Sequence, residues 1–242
     1  MIDVQSVTKL YGDFPAVTDL SFRVGPGEIL GLVGPNGAGK TTTLRTIAGI
    51  IHPSAGRIQV AGHDLAREPV EAKAALAFIP DEPQLFDYLN VEEHLRFVGR
   101  IYGVAEPEPR IASLLGELEL ADHVKKLPDQ LSRGMRQKLA IACGLLHDPS
   151  VLLFDEPLTG LDPRAIRRMK ATIKSRAEAG GAVILSSHLL HLVEELCDQI
   201  LVIQHGQAVF RGTMEEIKAY RPDLEGQGLE EVFLALTEER GA

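Results

Sequence analysis

The chain has 242 residues, 45% of them hydrophobic and 24% charged, a composition that excludes a disordered or low-complexity protein. That length supports one domain or two small ones around a substantial core. A formal net charge of −9 disfavours broad attraction to nucleic acid or anionic lipid, so no nucleic-acid partner is expected.

The first sixty or so residues read mostly as short strands. Ile2, Val4 and Val7, then Leu20, Phe22 and Val24, alternate apolar with polar as half-exposed strands do. After the Gly25-Pro26-Gly27 turn, the run from Glu28 to Val33 reads as a buried strand, and Thr41 to Ile50 opens a helix. Another strand is expected from Arg57 to Ala61. The middle is helical. Asn90 with Glu93 starts a helix whose apolar stripe is Leu95, Val98, Ile101 and Tyr102. Further helices are expected from Arg110 to Leu120 and from about Gly134 to Leu146, the latter with Met135, Leu139, Ala142, Cys143 and Leu146 on one face. Strand and helix then alternate. Val151 to Phe154 reads as a central parallel strand, Ile166 to Ala179 as a helix and Ala182 to Leu185 as a strand. Leu189 to Cys197 reads as a helix, followed by strands over Ile200–Ile203 and Ala208–Arg211 around a His205-Gly206 turn. Thr213 with Glu216 caps a short helix, and Leu229, Val232, Phe233 and Leu236 suggest a last amphipathic one. The pattern predicts a parallel α/β core with an antiparallel β edge and a helical insertion.

Cys143 and Cys197 are the only cysteines and lack CxxC spacing, which reads as two reduced, buried thiols. No basic segment followed by an apolar run opens the chain, and no apolar stretch approaches the ~20 residues of a spanning helix. The expected location is cytoplasmic, with any membrane role supplied by a partner.

Gly34-Pro35-Asn36-Gly37-Ala38-Gly39-Lys40-Thr41, followed by Thr42, is a complete phosphate-binding loop between a strand and a helix. Backbone N–H groups and a helix N-terminus converge there on phosphate oxygens, and the glycines permit the close wrap. Lys40 reaches the β- and γ-phosphates of ATP, and the Thr41 hydroxyl is a ligand for Mg²⁺. Asp155, ending the apolar strand, is placed to hold that magnesium, and Glu156 to act as general base toward water. Leu131 to Gln137 puts Ser132 and Gly134 at a helix start, either a second phosphate device or an ordinary serine cap.

Taken in order, the loop, the Leu131–Gln137 segment, Asp155-Glu156, Leu161-Asp162 and His188 resemble the nucleotide-binding domain of an ABC transporter, over essentially the whole chain. The Ser-x-Gly-Met-Arg-Gln form of the signature segment is similar to that of bacterial exporter ATPases. The resemblance implies a P-loop NTPase (RecA-like) core of mainly parallel strands, an antiparallel β subdomain and an inserted α-helical subdomain. It divides the single domain into residues 1–84 and 147–242 for the first two and 85–146 for the helical part. It implies that Tyr11 stacks on adenine, and that Ser132 and Gly134 contact the γ-phosphate held by the other copy of a head-to-tail dimer. The same resemblance implies that Asp162 lies at that dimer interface and that His188 bonds the γ-phosphate and holds the attacking water.

Two positions depart from the family pattern. Where a glutamine usually ligates Mg²⁺ and links to the membrane subunit, the chain reads Ile79-Pro80-Asp81-Glu82-Pro83-Gln84, so that Asp81 takes its place with Pro80 as the anchor, Gln84 being the alternative; and Arg133 stands where the signature commonly has glycine. The expected function is an ATP-hydrolysing subunit, peripheral at the inner face of the cell membrane, that powers a separate multi-span permease, in the direction of export. The alternative is an ATPase of the same fold acting in assembly, such as that of iron–sulfur clusters.

Overall fold

The computed structural model describes residues 1–220 and 229–238. The alternating N-terminal segments form a hairpin of β1 (Ile2–Tyr11) and β2 (Phe14–Val24), turning at Gly12-Asp13, where Gly12 has φ 59°. Then come β3 (Ile29–Val33), α1 (Lys40–Ile47), β4 (Ala55–Val60), β5 (His63–Asp64), α2 (Pro69–Ala74) and β6 (Leu76–Ile79). The central helices are α3 (Val91–Ile101), α4 (Pro107–Glu117) and α5 (Arg133–Leu145). The rest is β7 (Val151–Asp155), α6 (Pro163–Glu178), β8 (Ala182–Ser186), α7 (Leu190–Leu196), β9 (Gln199–Gln204), β10 (Gln207–Gly212), α8 (Met214–Tyr220) and α9 (Leu229–Glu238).

These strands make two sheets, a four-stranded antiparallel one in the order β2-β1-β4-β5 and a six-stranded one in the order β10-β9-β3-β8-β7-β6. Within the larger sheet β9, β3, β8, β7 and β6 run parallel and β10 is an antiparallel edge. Central parallel strands are covered on both faces, which is why they are apolar without alternation. Phe154 and Leu152 of β7 face one core cluster, shared with α3 to α7, while Val151 and Leu153 face another, shared with α1 and the antiparallel sheet. Every residue of β3, β7 and β8 is buried.

The capping signals act as read: Asn90 and Glu93 exchange both bonds of a capping box at α3, and Thr213 and Glu216 do so at α8. Three expectations need correction or limit. The short strand β6 and helix α2 are absent from the sequence reading, because Leu76–Ile79 is only four residues long and gains its strand character from pairing with β7. Ile101 and Tyr102 of the expected α3 stripe are exposed, at 63% and 40%, whereas Leu95 is buried as expected, Val98 packs against the same core, and Val91 and His94 complete the buried face. The register of the buried stripe therefore begins at the cap. Helix α9 covers the last expected segment, of which the side chain of Leu236 lies outside the described residues.

Candidate nucleotide site

The β3–α1 connection is shaped by backbone crowding. A Cβ on Gly34 would stand 2.2 Å from the Ile203 carbonyl oxygen, and one on Gly39, where φ is 106°, 2.5 Å from that of Ala16. Neither position tolerates a side chain without moving backbone. The loop is tied to its surroundings by the Gly206 N–H, which donates to the Ala38 carbonyl at 3.0 Å, and by Ala38 N–H to Pro35 at 3.1 Å.

Around this loop lies an open cavity of about 450 Å³, lined by Asn36 to Thr42, by Tyr11, Phe14 and Ala16, and by Asp81, Asp155 and Glu156. Tyr11 and Phe14 are paired across the β1–β2 hairpin, half and two-thirds exposed respectively, and leave one wall open and aromatic. The Lys40 ammonium donates to the Gly34 and Pro35 carbonyls at 2.7 and 3.2 Å. Burial lowers its pKa, an effect partly opposed by the nearby carboxylates of Glu156 and Asp155. A cation held in this condition gains from an arriving anion.

At the end of β7 the Thr41 hydroxyl donates to Asp155 Oδ1 at 3.2 Å, and the buried Ser186 hydroxyl donates to the same oxygen at 2.7 Å. Ser186 Oγ also accepts the Glu156 N–H at 3.1 Å. Glu156 itself has φ 52°, an unfavourable conformation for a residue with a Cβ and one that recurs where side chains are aimed for chemistry. Its Oε2 accepts from the His188 backbone N–H at 3.3 Å and lies 2.8 Å from His188 Nδ1. Thr41, Asp155 and Asp81 all line this cavity with hard oxygen donors, the ligand type that suits Mg²⁺.

The structure thus brings together the loop, Tyr11, Asp81, Asp155 and Glu156, with His188 on Glu156. It does not bring Ser132, Gly134 or Asp162 into that cavity. Ser132 caps α5, its hydroxyl accepting from the Met135 N–H at 3.2 Å, and Asp162 caps α6 by accepting from Arg164 and Ala165 N–H at 2.9 Å each. The bond from Ala165, with that from Arg164, lowers the Asp162 pKa. Residues 132–134 lie beside residues 158–162 instead: a Cβ on Gly134 would touch Leu161 at 3.4 Å. Arg133 meets Asp81, its Nη2 donating to Oδ1 at 3.1 Å. Sequence reasoning missed Phe14 and Ser186. The spacing Tyr11-Gly12-Asp13-Phe14 is the signal for the first; for the second there is only a serine at the end of an apolar run.

A second concavity, a groove of about 670 Å³, runs from Thr41 and Asp81 past Pro83, Leu85 and Phe86 to Tyr102 and His147. Its rim carries Ile50, Phe86 and Tyr102, all substantially exposed.

The ABC transporter family profile matches residues 17–159. The chain is 33% identical over 241 residues to the ABC-type transporter ATP-binding protein EcsA of Bacillus subtilis, covering 99% of this chain and 97% of that one. It is 38% identical over 205 residues to the ABC transporter ATP-binding protein NatA of the same organism, covering 84% and 83%. Over 220 residues it is 37% identical to the daunorubicin resistance ATP-binding protein DrrA3 of Streptomyces coeruleorubidus, covering 90% and 70%. Among solved structures, the ATP-binding subunit of an ABC transporter superposes with a TM-score of 0.92 at 34% identity, over 98% of this chain and 99% of that one. A dimeric ATP-binding cassette in a post-hydrolysis state with ADP and phosphate superposes with a TM-score of 0.81, over 88% and 99%, and at 23% identity it speaks to the fold alone.

Proposed function

Because the chain belongs to the ABC transporter family of ATP-binding proteins and is an ATPase, we propose that two copies close head to tail around two ATP molecules and drive a separate membrane permease, in the direction of export. The observation that carries the dimer is the division of the site. Lys40, Thr41, Asp155 and Glu156 surround one cavity, whereas Ser132, Gly134 and Asp162 cluster away from it on the starts of α5 and α6. The start of α5 with its serine hydroxyl is suited to the phosphate of a second copy, and Asp162, whose carboxylate already caps α6, is suited to the interface beside it.

Within that arrangement Tyr11 stacks on adenine and Lys40 exchanges its two carbonyl partners for phosphate oxygens. Mg²⁺, when bound, neutralises charge on the phosphates, and Thr41, Asp155 and Asp81 are the residues that would hold it. Glu156 takes a proton from the attacking water, and His188, oriented by its contact with Glu156, bonds the γ-phosphate. Catalysis is by positioning and charge stabilisation, with no covalent enzyme intermediate. Residues 85–146 act as the helical subdomain, between the two parts of the core formed by 1–84 and 147–242.

No described helix is long and apolar enough to cross a membrane, and the permease of this reading is a second polypeptide. Its contact is the groove beside Asp81, whose Phe86 and Tyr102 offer apolar area to a docking helix. Export is supported by relatives such as DrrA3, a daunorubicin resistance protein. Affinity purification from detergent-solubilised native membranes tests the transport reading. Co-purification of a multi-span membrane protein is expected, and recovery of soluble partners alone would sink it in favour of an assembly ATPase.

A further inference from the structure

The two positions at which the chain departs from the family pattern touch each other. Asp81 sits in the loop after β6 and lines the nucleotide cavity, and Arg133 opens α5. Arg133 Nη2 donates to Asp81 Oδ1 at 3.1 Å, and a second bond, from Gln137 Nε2 to the Pro80 carbonyl at 3.2 Å, ties the next turn of the same helix to the same loop. The arginine stem is backed by the segment before α6: a Cβ on Gly160 would meet its Cδ and Nε at 3.4 Å. Its course is therefore defined by contacts on two sides.

An aspartate at the mouth of a phosphate cavity repels the anion that must enter, which a neutral amide does not. An arginine on that carboxylate returns the balance to neutral. Yet the pair is half exposed, with side-chain accessibilities of 52% and 42%, so it is weak enough to exchange for a divalent cation. We infer that Arg133 is a positioning residue for Asp81, holding its carboxylate at the cavity mouth and offsetting its charge until a metal ion carried with the nucleotide takes over. This rests on the reading of residues 34–42 as the nucleotide site. The same side chain lies between Ser132 and Gly134, so it joins the chain's own cavity to the segment assigned to the second copy's phosphate.

The test titrates a fluorescent, hydrolysis-resistant ATP analogue onto the full-length chain, without Mg²⁺ and across a Mg²⁺ series. In Arg133→Ala the Mg²⁺-free affinity falls by about two- to fivefold, the worth of an exposed pair, and the Mg²⁺ concentration at half-maximal binding falls by a similar factor. Arg133→Lys restores most of both. In an Asp81→Asn background Arg133→Ala still removes a cation from the cavity mouth, but the drop in the Mg²⁺ midpoint vanishes with the carboxylate. Shifts of opposite benefit in the parent background are not produced by a general loosening of α5. An unchanged Mg²⁺-free affinity in Arg133→Ala, or a drop in the Mg²⁺ midpoint that persists in the Asp81→Asn background, overturns the inference. Failure of the underlying site reading shows separately, as analogue binding that survives Lys40→Ala.

Discussion

Ser186 shows how one buried hydroxyl serves two functional groups at once. It is fully buried, donates to Asp155 and accepts from the Glu156 N–H, so it fixes both the Asp155 carboxylate and the strained residue beside it. Without the hydroxyl the Glu156 N–H keeps the Ser186 carbonyl and Asp155 Oδ1 keeps Thr41, each at 3.2 Å, so the loss is that of the hydroxyl's own bonds, about 0.5–1.5 kcal/mol. Ser186→Ala is accordingly expected to lower the stability read from urea unfolding by that amount. It should also reduce kcat for phosphate release more than it changes KM for ATP, because Asp155 and Glu156 lose a shared support while Lys40 and Tyr11 keep theirs. Equal stability and equal kcat in the variant would falsify the dual role. The two cysteines have no comparable part: burial raises the Cys143 thiol to about 12 and pushes the Cys197 thiol up as well, which makes both poor nucleophiles at neutral pH.

One face of α6 adds polar contacts to the apolar packing that holds the helices between β6 and β7 on the core. Arg168 pairs with Glu119, Thr172 donates to Glu117 at 2.6 Å, and Arg176 donates to Asp148 at 3.1 Å, which places the three contacts at successive i, i+4 positions. Asp148 also accepts from Arg110 of α4 at 2.7 Å, and so joins α4 to α6. The Arg110 bond, with the charges of Arg110 and Arg176, holds the Asp148 pKa below its ordinary value of 3.8. A depressed carboxylate contributes stability that is present above pH 3.8 and is lost as pH falls through the lower folded-state value. Asp148→Asn should therefore be less stable than the parent at neutral pH, with the gap closing below about pH 4. The effect is small, since the side chain is two-thirds exposed and solvent screens it. Thermal melts of both proteins across roughly pH 3 to 8 measure it, and a gap that stays constant through that range counts against the ion pair.

At the level of the assembled protein, the proposed head-to-tail dimer completes the site by bringing residues 132–134 of one copy to the phosphate of another. Glu156→Gln keeps the cavity but removes the base of the proposed mechanism, so on that reading ATP hydrolysis should fall by about two to four orders of magnitude. ATP binding is retained, and the ATP-bound dimer accumulates. Light scattering after size exclusion, with and without Mg²⁺-ATP, reads this directly; a variant that stays monomeric with ATP bound removes the head-to-tail arrangement. Docking of the permease belongs to the same level. Phe86→Asp places a charge on the groove rim and should reduce co-purification of the membrane partner, measured beside wild type in the same extract.

How much of this is legible in the sequence differs by the range over which each interaction acts. The phosphate loop, the caps at Asn90 and Thr213, and the apolar strands β3, β7 and β8 depend on neighbours in sequence, so residue order alone announces them. Asp155 and Glu156 are legible for the same reason, as the end of an apolar run. The strand character of Leu76–Ile79 is not, because four residues carry little pattern and their pairing with β7 spans a long excursion through α3 to α5. Nor is the exposure of Ile101 and Tyr102, which depends on what α3 packs against. The partners of Ser186 and of Arg133 lie 31 and 52 positions away. Such contacts are set by where sheet and helices bring side chains together, and local residue pattern contains no trace of them.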